Sequence, residues 1–306
     1  MTRAVLLMAY GTAQGADDIP RYYTHIRHGR PPSTEQLSDL AARYQAIGGI
    51  SPLAIITEQQ ARSLEAALNA RHGAGAFQVF VGMKHSPPFI ADAVRAIAAK
   101  EIGQTVGLVL APHYSAMSVG TYLAEAESAI SDLAQPLELR AIRSWAGSPG
   151  LISLLQDRIE ETREKFTREE QENLPIIFSA HSLPQRILRD NDPYPEELRL
   201  TGDLVAASLG TTHYTFSWQS AGRTADPWLG PDILEKLDLM QRDGFRQAII
   251  CPCGFVSDHL EVLYDLDIEA QERARQFGMH IERTRSLNAD PAFIRVLANL
   301  VEDAVQ

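Results

Sequence analysis

Short β-forming runs alternate with segments of helical periodicity, and this alternation occurs twice along the 306-residue chain. The predicted strands are Ala4–Ala9, Gln78–Gly82, Val106–Ala111 and Leu137–Ile142, then Ile176–Ala180, His213–Trp218, Ala248–Pro252 and His280–Arg285. Predicted helices include Thr57–Leu68, Pro88–Ala98, Pro231–Gln241, Asp258–Arg275 and Pro291–Val305. Such alternation predicts an α/β protein whose parallel sheets are covered by helices on both faces.

The two halves of the chain share a local pattern. An Arg-Ser pair precedes a proline at Arg143 and Pro149, and again at Arg285 and Pro291, 142 residues later in each case. We therefore predict a duplication, with about thirty extra residues in the first copy. The polar segment Tyr22–Ile50 is the predicted insertion.

The duplication predicts two similar Rossmann-like domains, an N-terminal one over residues 1–170 and a C-terminal one over residues 171–306. Open α/β sheets bind ligands beyond the carboxyl ends of their strands. We therefore expect the active site in a cleft between the two domains.

Charge and composition exclude several classes of function. The chain carries 28 Lys and Arg against 39 Asp and Glu, a net charge of −11, which argues against nucleic acid and against a basic membrane-binding surface. Its apolar runs are far shorter than the roughly 20 residues of a membrane span. The first strand begins at Ala4, which leaves no room for a signal peptide. We expect a cytoplasmic monomer without stable membrane association.

A histidine follows directly after one predicted strand. His181 lies between the apolar run Ile176–Ala180 and the turn at Pro184. In that position an imidazole can bind a metal or accept a proton near neutral pH. A turn histidine that hydrogen bonds to the backbone is an equal alternative.

Three carboxylates follow at helical spacing. Glu261, Asp265 and Glu269 are placed at i, i+4 and i+8, so they share one face of a helix that Ser257 can cap. Like charges at this spacing repel unless cations lie nearby, and divalent cations favour such oxygens. A solvated acidic stripe is the alternative interpretation. His259 is expected to point elsewhere on the helix and to be structural.

The remaining candidates carry weaker signals. Cys251 and Cys253 alternate along a strand, so they point to opposite faces and cannot clamp one metal well. Core packing is the better interpretation for at least one of them. His85 and His113 each follow a strand, and we leave open whether they line the cleft or cap helices.

Several motifs resemble those of ferrochelatases. In the C-terminal half these are Ser179–Pro184, Asp192–Tyr194, Ser217–Ser220, Asp226–Pro231 and Phe255–Asp265. In the N-terminal half they are Met8–Thr12, Arg21–Arg27, Arg43-Tyr44 and Ile47–Pro52. The likeness covers nearly the whole chain in order, and it is greatest to the short, soluble coproporphyrin ferrochelatases of Gram-positive bacteria.

The resemblance implies two chelatase-type domains and an enzyme that inserts Fe²⁺ into a porphyrin. It implies that His181 and Glu261, from separate lobes across the cleft, accept the pyrrole protons and bind iron transiently. Asp265 and Glu269 would then form an outer metal site, for iron or for a second cation such as Mg²⁺. Members with an iron–sulfur cluster use four cysteines, so no cluster is expected here.

The resemblance also implies substrate-binding residues, namely Tyr10, Arg27, Arg43, Tyr44, Ser51 and Tyr122. Guanidinium groups suit the propionates of a porphyrin. Tyr10 would approach the metal from the opposite porphyrin face. Lys84 and His85 are weaker candidates for the propionates, and Trp228 lies either in the pocket wall or in the core.

The segment His25–Pro32 is polar and basic where membrane-associated protoporphyrin enzymes have an apolar lip, which favours coproporphyrin III. Protoporphyrin IX as substrate, a cobalt or nickel chelatase of another tetrapyrrole, and a bilobal haem- or metal-carrying protein are the alternatives. Transient contact with the next haem-pathway enzyme is also expected. In the family signature Asn191 replaces a glycine, and asparagine tolerates a left-handed turn.

Overall fold

The computed structural model describes residues 2–222, 224 and 226–305. The chain forms two four-stranded parallel sheets. The first sheet contains β1 (Arg3–Ala9), β2 (Phe77–Met83), β3 (Gln104–Val109) and β4 (Glu138–Ile142). The second contains β5 (Ile176–His181), β6 (Tyr214–Gln219), β7 (Gln247–Cys251) and β8 (His280–Arg283).

The two sheets have the same topology. Their strand orders are β2-β1-β3-β4 and β6-β5-β7-β8, so each half places its first strand second and its second strand at the edge. In the first sheet Leu7 pairs with Val81 on one side and Leu108 on the other. The α/β class with two Rossmann-like halves is thus confirmed, and the common strand order fits the predicted duplication.

Helices cover both sheets. In the first half they are α1 (Ile19–Ile26), α2 (Thr34–Ala46), α3 (Leu53–His72), α4 (Ile90–Ala98), α5 (Val119–Ser131) and α6 (Pro149–Arg163). In the second they are α7 (Arg168–Gln171), α8 (Tyr194–Leu209), α9 (Ile233–Arg242), a π-helix (Val262–Ala270), α10 (Gln271–Gln276) and α11 (Pro291–Val305). Among the described residues, none of these helices combines the length and the apolar character needed to cross a bilayer.

The predicted insertion, Tyr22–Ile50, contains the last turn of α1 and the whole of α2. Ser33 begins α2 with a capping box, in which its hydroxyl accepts from the Gln36 amide while the Gln36 side chain accepts from the Ser33 amide. Tyr22 and Tyr44 form a small apolar cluster between the two helices, against which Leu260 of the second half packs. The insertion therefore reaches across to the other half of the molecule.

The last helix of each half packs on the opposite half. α6 contacts α8 and β7, whereas α11 contacts α3, β3 and β4. Arg71 of α3 donates to Glu302 of α11 at 2.7 Å, and Arg140 of β4 donates to the Ala304 carbonyl. One apolar cluster joins Leu7 of the first sheet to Phe178 of the second, so the core is continuous. The boundary after residue 170 remains a prediction.

The predicted helix over residues 258–275 differs in kind from the one observed. A single helical turn at Leu260 and Glu261 leads into the π-helix, which α10 continues. The apolar spacing does not distinguish the i to i+5 bonding of a π-helix from ordinary α bonding over nine residues. π-Helical segments occur frequently at functional sites, and this one carries two of the predicted site residues, Asp265 and Glu269.

Candidate active site

A cavity of about 420 Å³ lies between the two halves, at the carboxyl ends of the central strands. Its wall includes six of the predicted site residues, Tyr10, Tyr44, Ser51, Tyr122, His181 and Glu261. The wall is largely apolar elsewhere, with Leu53, Val109 and Phe255 among its members. The position and lining suit a mostly apolar ligand with a few polar contacts.

The other four predicted residues are outside that wall. Arg27 donates through Nε to the Arg30 carbonyl at 3.3 Å, near the surface. Arg43 lies against the outer part of the π-helix, 3.5 Å from the Asp265 carboxylate. Asp265 and Glu269 follow Glu261 along that helix, leading away from the cavity.

His181 and Glu261 form a pair. The Nε2 atom of His181 is 3.6 Å from Oε1 of Glu261. The expectation that they come from separate lobes and face each other across the cleft is wrong. His181 ends β5, and Glu261 follows β7, which is hydrogen bonded to β5, so both side chains extend from the same edge of the second sheet.

His259 is a second imidazole beside the same carboxylate. Its Nε2 atom is 3.5 Å from Oε2 of Glu261, and its Nδ1 donates to the Ser257 carbonyl at 3.0 Å. The interpretation of His259 as merely structural assumed a helix that already includes it. The helix begins at Leu260, so His259 precedes it and turns toward the cavity. The position of His259 directly before the acidic helix is the sequence feature that could have indicated its role in the cavity.

These contacts fix the charges of the pair. Burial alone would raise the pKa of Glu261, but His181 and His259 lower it well below its usual range. Burial opposes the charged form of His181, yet the Glu261 carboxylate outweighs it and raises the pKa of the imidazole. The His181 Nδ1 donates to the Ser182 carbonyl, which leaves Nε2 directed at Glu261. At neutral pH the site therefore contains a carboxylate that is stabilised by two imidazoles.

Tyr10 comes from the other half of the chain. It follows β1, is 41% exposed, and contributes to the cavity wall. Desolvation inside the cavity, and secondarily the Glu261 charge, raise the pKa of Tyr10, so its hydroxyl stays protonated. The cavity is thus lined by a phenol of the first half and by the His181–Glu261 pair of the second.

Lys84 and His85 lie on the Tyr10 side of the cavity. The His85 ring is 4.6 Å from that of Tyr10, and its Nδ1 is 3.0 Å from Nδ1 of His25. Burial and the adjacent Lys84 lower the pKa of His85 to about 3, so this imidazole is neutral. The Lys84 ammonium donates to the Thr121 hydroxyl and lies over the Tyr122 ring. Both residues line the cavity.

The wall also settles two of the weaker alternatives. His113 and Trp228 line the cavity, and the Trp228 ring is 6.4 Å from that of His181. His113 is buried and bonded to the Thr201 hydroxyl at 2.9 Å, so it also links the two halves. Cys251 and Cys253 are buried free thiols in the core, as core packing predicts. The prediction that they point to opposite faces of one strand is wrong, because β7 ends at Cys251 and the Cys253 side chain hydrogen bonds with that of Cys251.

The acidic stripe, formed by Glu261, Asp265 and Glu269, is partly balanced by the Arg43 guanidinium. Asp265 is buried, accepts from the Ser220 hydroxyl, and faces Arg43. Burial, together with the Glu261 charge, raises the pKa of Asp265 to about 7. Within the described part of the chain, no three His, Cys, Asp or Glu side chains are arranged to enclose a metal ion.

Comparison with known proteins gives a consistent result along the whole chain. Residues 2–305 match the family model for ferrochelatase. The chain is 46% identical to the coproporphyrin III ferrochelatase of Geobacillus sp. (strain WCH70), over 97% of this chain and 96% of that protein. It is 45% identical to the coproporphyrin III ferrochelatase of Listeria innocua serovar 6a, over 99% of both chains.

Solved structures show the same fold at much lower identity. SirB from Bacillus subtilis with Fe³⁺ superposes with a TM-score of 0.60 at 10% identity, over 99% of this chain and 96% of that one. The sirohydrochlorin chelatase SirB from Bacillus subtilis subspecies spizizenii in complex with cobalt gives 0.60 at 8% identity, over 99% and 95%. The family-model match over residues 2–305 and the near-full-length relatives show that the chain belongs to the ferrochelatase family.

Proposed function

We propose that this protein inserts Fe²⁺ into coproporphyrin III to give the iron porphyrin, coprohaem. The ferrous ion forms four bonds to the pyrrole nitrogens, and the two pyrrole N–H protons leave, so no electron is transferred. The reaction needs a flat cavity, proton acceptors beside the ring and a route for the cation. Near-full-length relatives at 44–46% identity, all of them named coproporphyrin III ferrochelatase, carry this proposal.

His181 and Glu261 are proposed to accept the pyrrole protons and to bind the iron in transit. The negative charge of Glu261 attracts Fe²⁺, and mixed nitrogen and oxygen ligands suit a first-row metal. His181 must lose its proton before Nε2 can act as ligand or base. Tyr10, from the first half, would meet the ring or its metal from the other face.

The four propionates of coproporphyrin III are proposed to bind at the cavity mouth. Arg27 and Arg43 would supply guanidinium groups from outside the cavity wall, and Tyr44, Ser51 and Tyr122 would supply hydroxyls from within it. The Tyr44 hydroxyl is already fixed by a 2.8 Å hydrogen bond with Thr12. The basic segment around Arg27 supports a substrate with four carboxylates over the less charged protoporphyrin IX.

Asp265 and Glu269 are proposed to form the outer part of the metal route. Carboxylate oxygens also suit a second divalent cation such as Mg²⁺, and one Asp265 oxygen is buried without a hydrogen bond. An iron–sulfur cluster forms no part of the proposal. We place the protein in the cytoplasm as two chelatase domains, 1–170 and 171–306, in transient contact with the next haem-pathway enzyme.

Anaerobic turnover tests the proposal. Purified protein is mixed with Fe²⁺ and either coproporphyrin III or protoporphyrin IX, and the absorption spectrum is followed. We expect iron coproporphyrin to form well above the uncatalysed rate and faster than iron protoporphyrin. His181→Ala should abolish turnover and still bind the porphyrin. A wild-type protein that binds the porphyrin without turnover would support the carrier alternative instead.

A further inference from the structure

The Arg43 guanidinium is held at the junction of the two halves. It lies near the end of α2, next to Tyr44 of the cavity wall, and its carbon Cζ is 4.7 Å from the centroid of the Tyr264 ring. Tyr264 belongs to the π-helix of the second half. Two carboxylates flank the guanidinium, with Asp39 3.5 Å from Nε and Asp265 3.5 Å from Nη1.

Those two carboxylate contacts are too long to be charge-assisted hydrogen bonds, which measure about 2.7–2.9 Å. Among the described residues, no hydrogen bond involves the Arg43 guanidinium. The Tyr264 ring lies over the guanidinium carbon, and both carboxylates pair with Arg43 beyond hydrogen-bond distance. A guanidinium group that is oriented but makes no hydrogen bond is preorganised to bind a carboxylate in bidentate geometry.

Two other cations near the cavity are held in the same way. Arg27 lies 5.8 Å from the Tyr23 ring centroid, and Lys84 lies 4.9 Å from that of Tyr122. In both cases cation and ring belong to the first half of the chain. In the Arg43–Tyr264 contact, the ring comes from the second half, so the orientation of the cation depends on how the two halves pack.

We propose that Tyr264 is a positioning residue that holds Arg43 ready for a substrate carboxylate at the cavity mouth. The inference rests on the proposed function, because it assigns Arg43 a propionate. Cation–π attraction requires the ring face and not the hydroxyl. Among the described residues, no hydrogen bond involves the Tyr264 hydroxyl, so Tyr264→Phe is a matched control.

The test compares Tyr264→Leu, Tyr264→Phe, Arg43→Met and the double variant Arg43→Met/Tyr264→Leu. KM and kcat are measured for coproporphyrin III and for Fe²⁺, and porphyrin binding is measured separately by fluorescence quenching. Tyr264→Leu should raise the porphyrin KM and Kd about three- to tenfold, with kcat and the Fe²⁺ KM unchanged. Tyr264→Phe should match the wild type. In the Arg43→Met background, Tyr264→Leu should raise neither the porphyrin KM nor the porphyrin Kd any further.

The inference is overturned if Tyr264→Phe is as impaired as Tyr264→Leu, if Tyr264→Leu leaves porphyrin binding unchanged, or if its effect persists without Arg43. Tyr264→Met replaces Tyr264→Leu if the latter does not fold. Wild-type turnover is measured first, and it tests the proposed function separately from the role of Tyr264. If the wild type prefers protoporphyrin IX, the same four proteins are compared with that dicarboxylate, and the expected pattern is the same.

Discussion

Glu261 is the residue on which the charges of the site depend. It stands within 3.6 Å of His181 and 3.5 Å of His259, and each of these imidazoles favours its ionised form. In return the carboxylate favours protonation of His181. His181 accepts a proton only in its unprotonated form, so its raised pKa makes pH control how much of the enzyme is ready to react.

We predict that His181 titrates with a pKa above its ordinary value of about 6.5, and that Glu261→Gln lowers this pKa. Because the folded-state pKa is raised, the pair stabilises the fold fully below pH ~6.5 and loses this contribution as pH rises through the folded pKa. Turnover should rise over the same interval. Imidazole NMR titration of both proteins measures the shift.

The exposed imidazole of His213, on a distant loop, is the internal control, and its signal should be the same in both proteins. Equal His181 titration curves with and without the Glu261 charge would contradict the assignment. The lowered pKa of Glu261 gives the opposite pH dependence of stability. Its stabilising contribution is present above pH ~4.5 and is lost on acidification.

Single residues differ in how far the sequence determines them. Asn191 adopts a φ of 51°, so the left-handed turn that was expected at this asparagine is confirmed. The sequence motifs around His181 and Glu261 correctly indicated two cavity residues. His259 was misassigned because one residue at the start of a helix decides whether a side chain follows the helical face or turns into the cavity.

Among the secondary-structure elements, the eight strands follow from local apolar runs, and each was predicted to within a few residues. α8 was not predicted from the sequence, because prolines lie at its start and Gly202 interrupts its middle. The structure supplies the reason for that glycine. An added Cβ would lie 2.5 Å from the ring of Phe216, so α8 contacts the sheet closely only without a side chain there.

We therefore predict that Gly202→Ala destabilises the protein by about 1–3 kcal/mol, as overpacking typically does. Gly147→Ala is the control, because its added methyl group would be 3.5 Å from the nearest atom, in ordinary contact. Urea unfolding of the two variants gives the comparison. If both variants unfold at the same urea concentration as the wild type, the close approach of α8 does not limit stability.

For the whole molecule, the alternation of strands and helices predicts the architecture, but not which half each helix covers. α6 and α11 have the buried faces expected of core helices, and such a face does not identify its partner sheet. The misplaced His181–Glu261 pair has a different cause. Both residues follow strands that were predicted within residues 171–306, so the sequence pattern itself placed them in one half, and the expectation of separate lobes conflicted with it.

The shared core predicts cooperative unfolding. Leu297 of α11 is fully buried, in a cluster that includes residues of both sheets. Leu297→Ala should cost about 2–5 kcal/mol. Both halves should also lose structure in one transition, which hydrogen exchange of β1 and β5 amides can follow. Two separate transitions, with β5 unaffected, would show that the halves are independent.

The crossed placement of α6 and α11 also bears on how the chain is made. Because α11 packs on the helix and strands of the first sheet, that sheet stays partly uncovered until residues 291–305 have been synthesised. Domains usually fold as units, with the N-terminal one first, as the polypeptide emerges from the ribosome. Here the earlier-made half is completed only by the later one, so we expect the nascent chain to expose apolar surface of the first sheet until α11 has been synthesised.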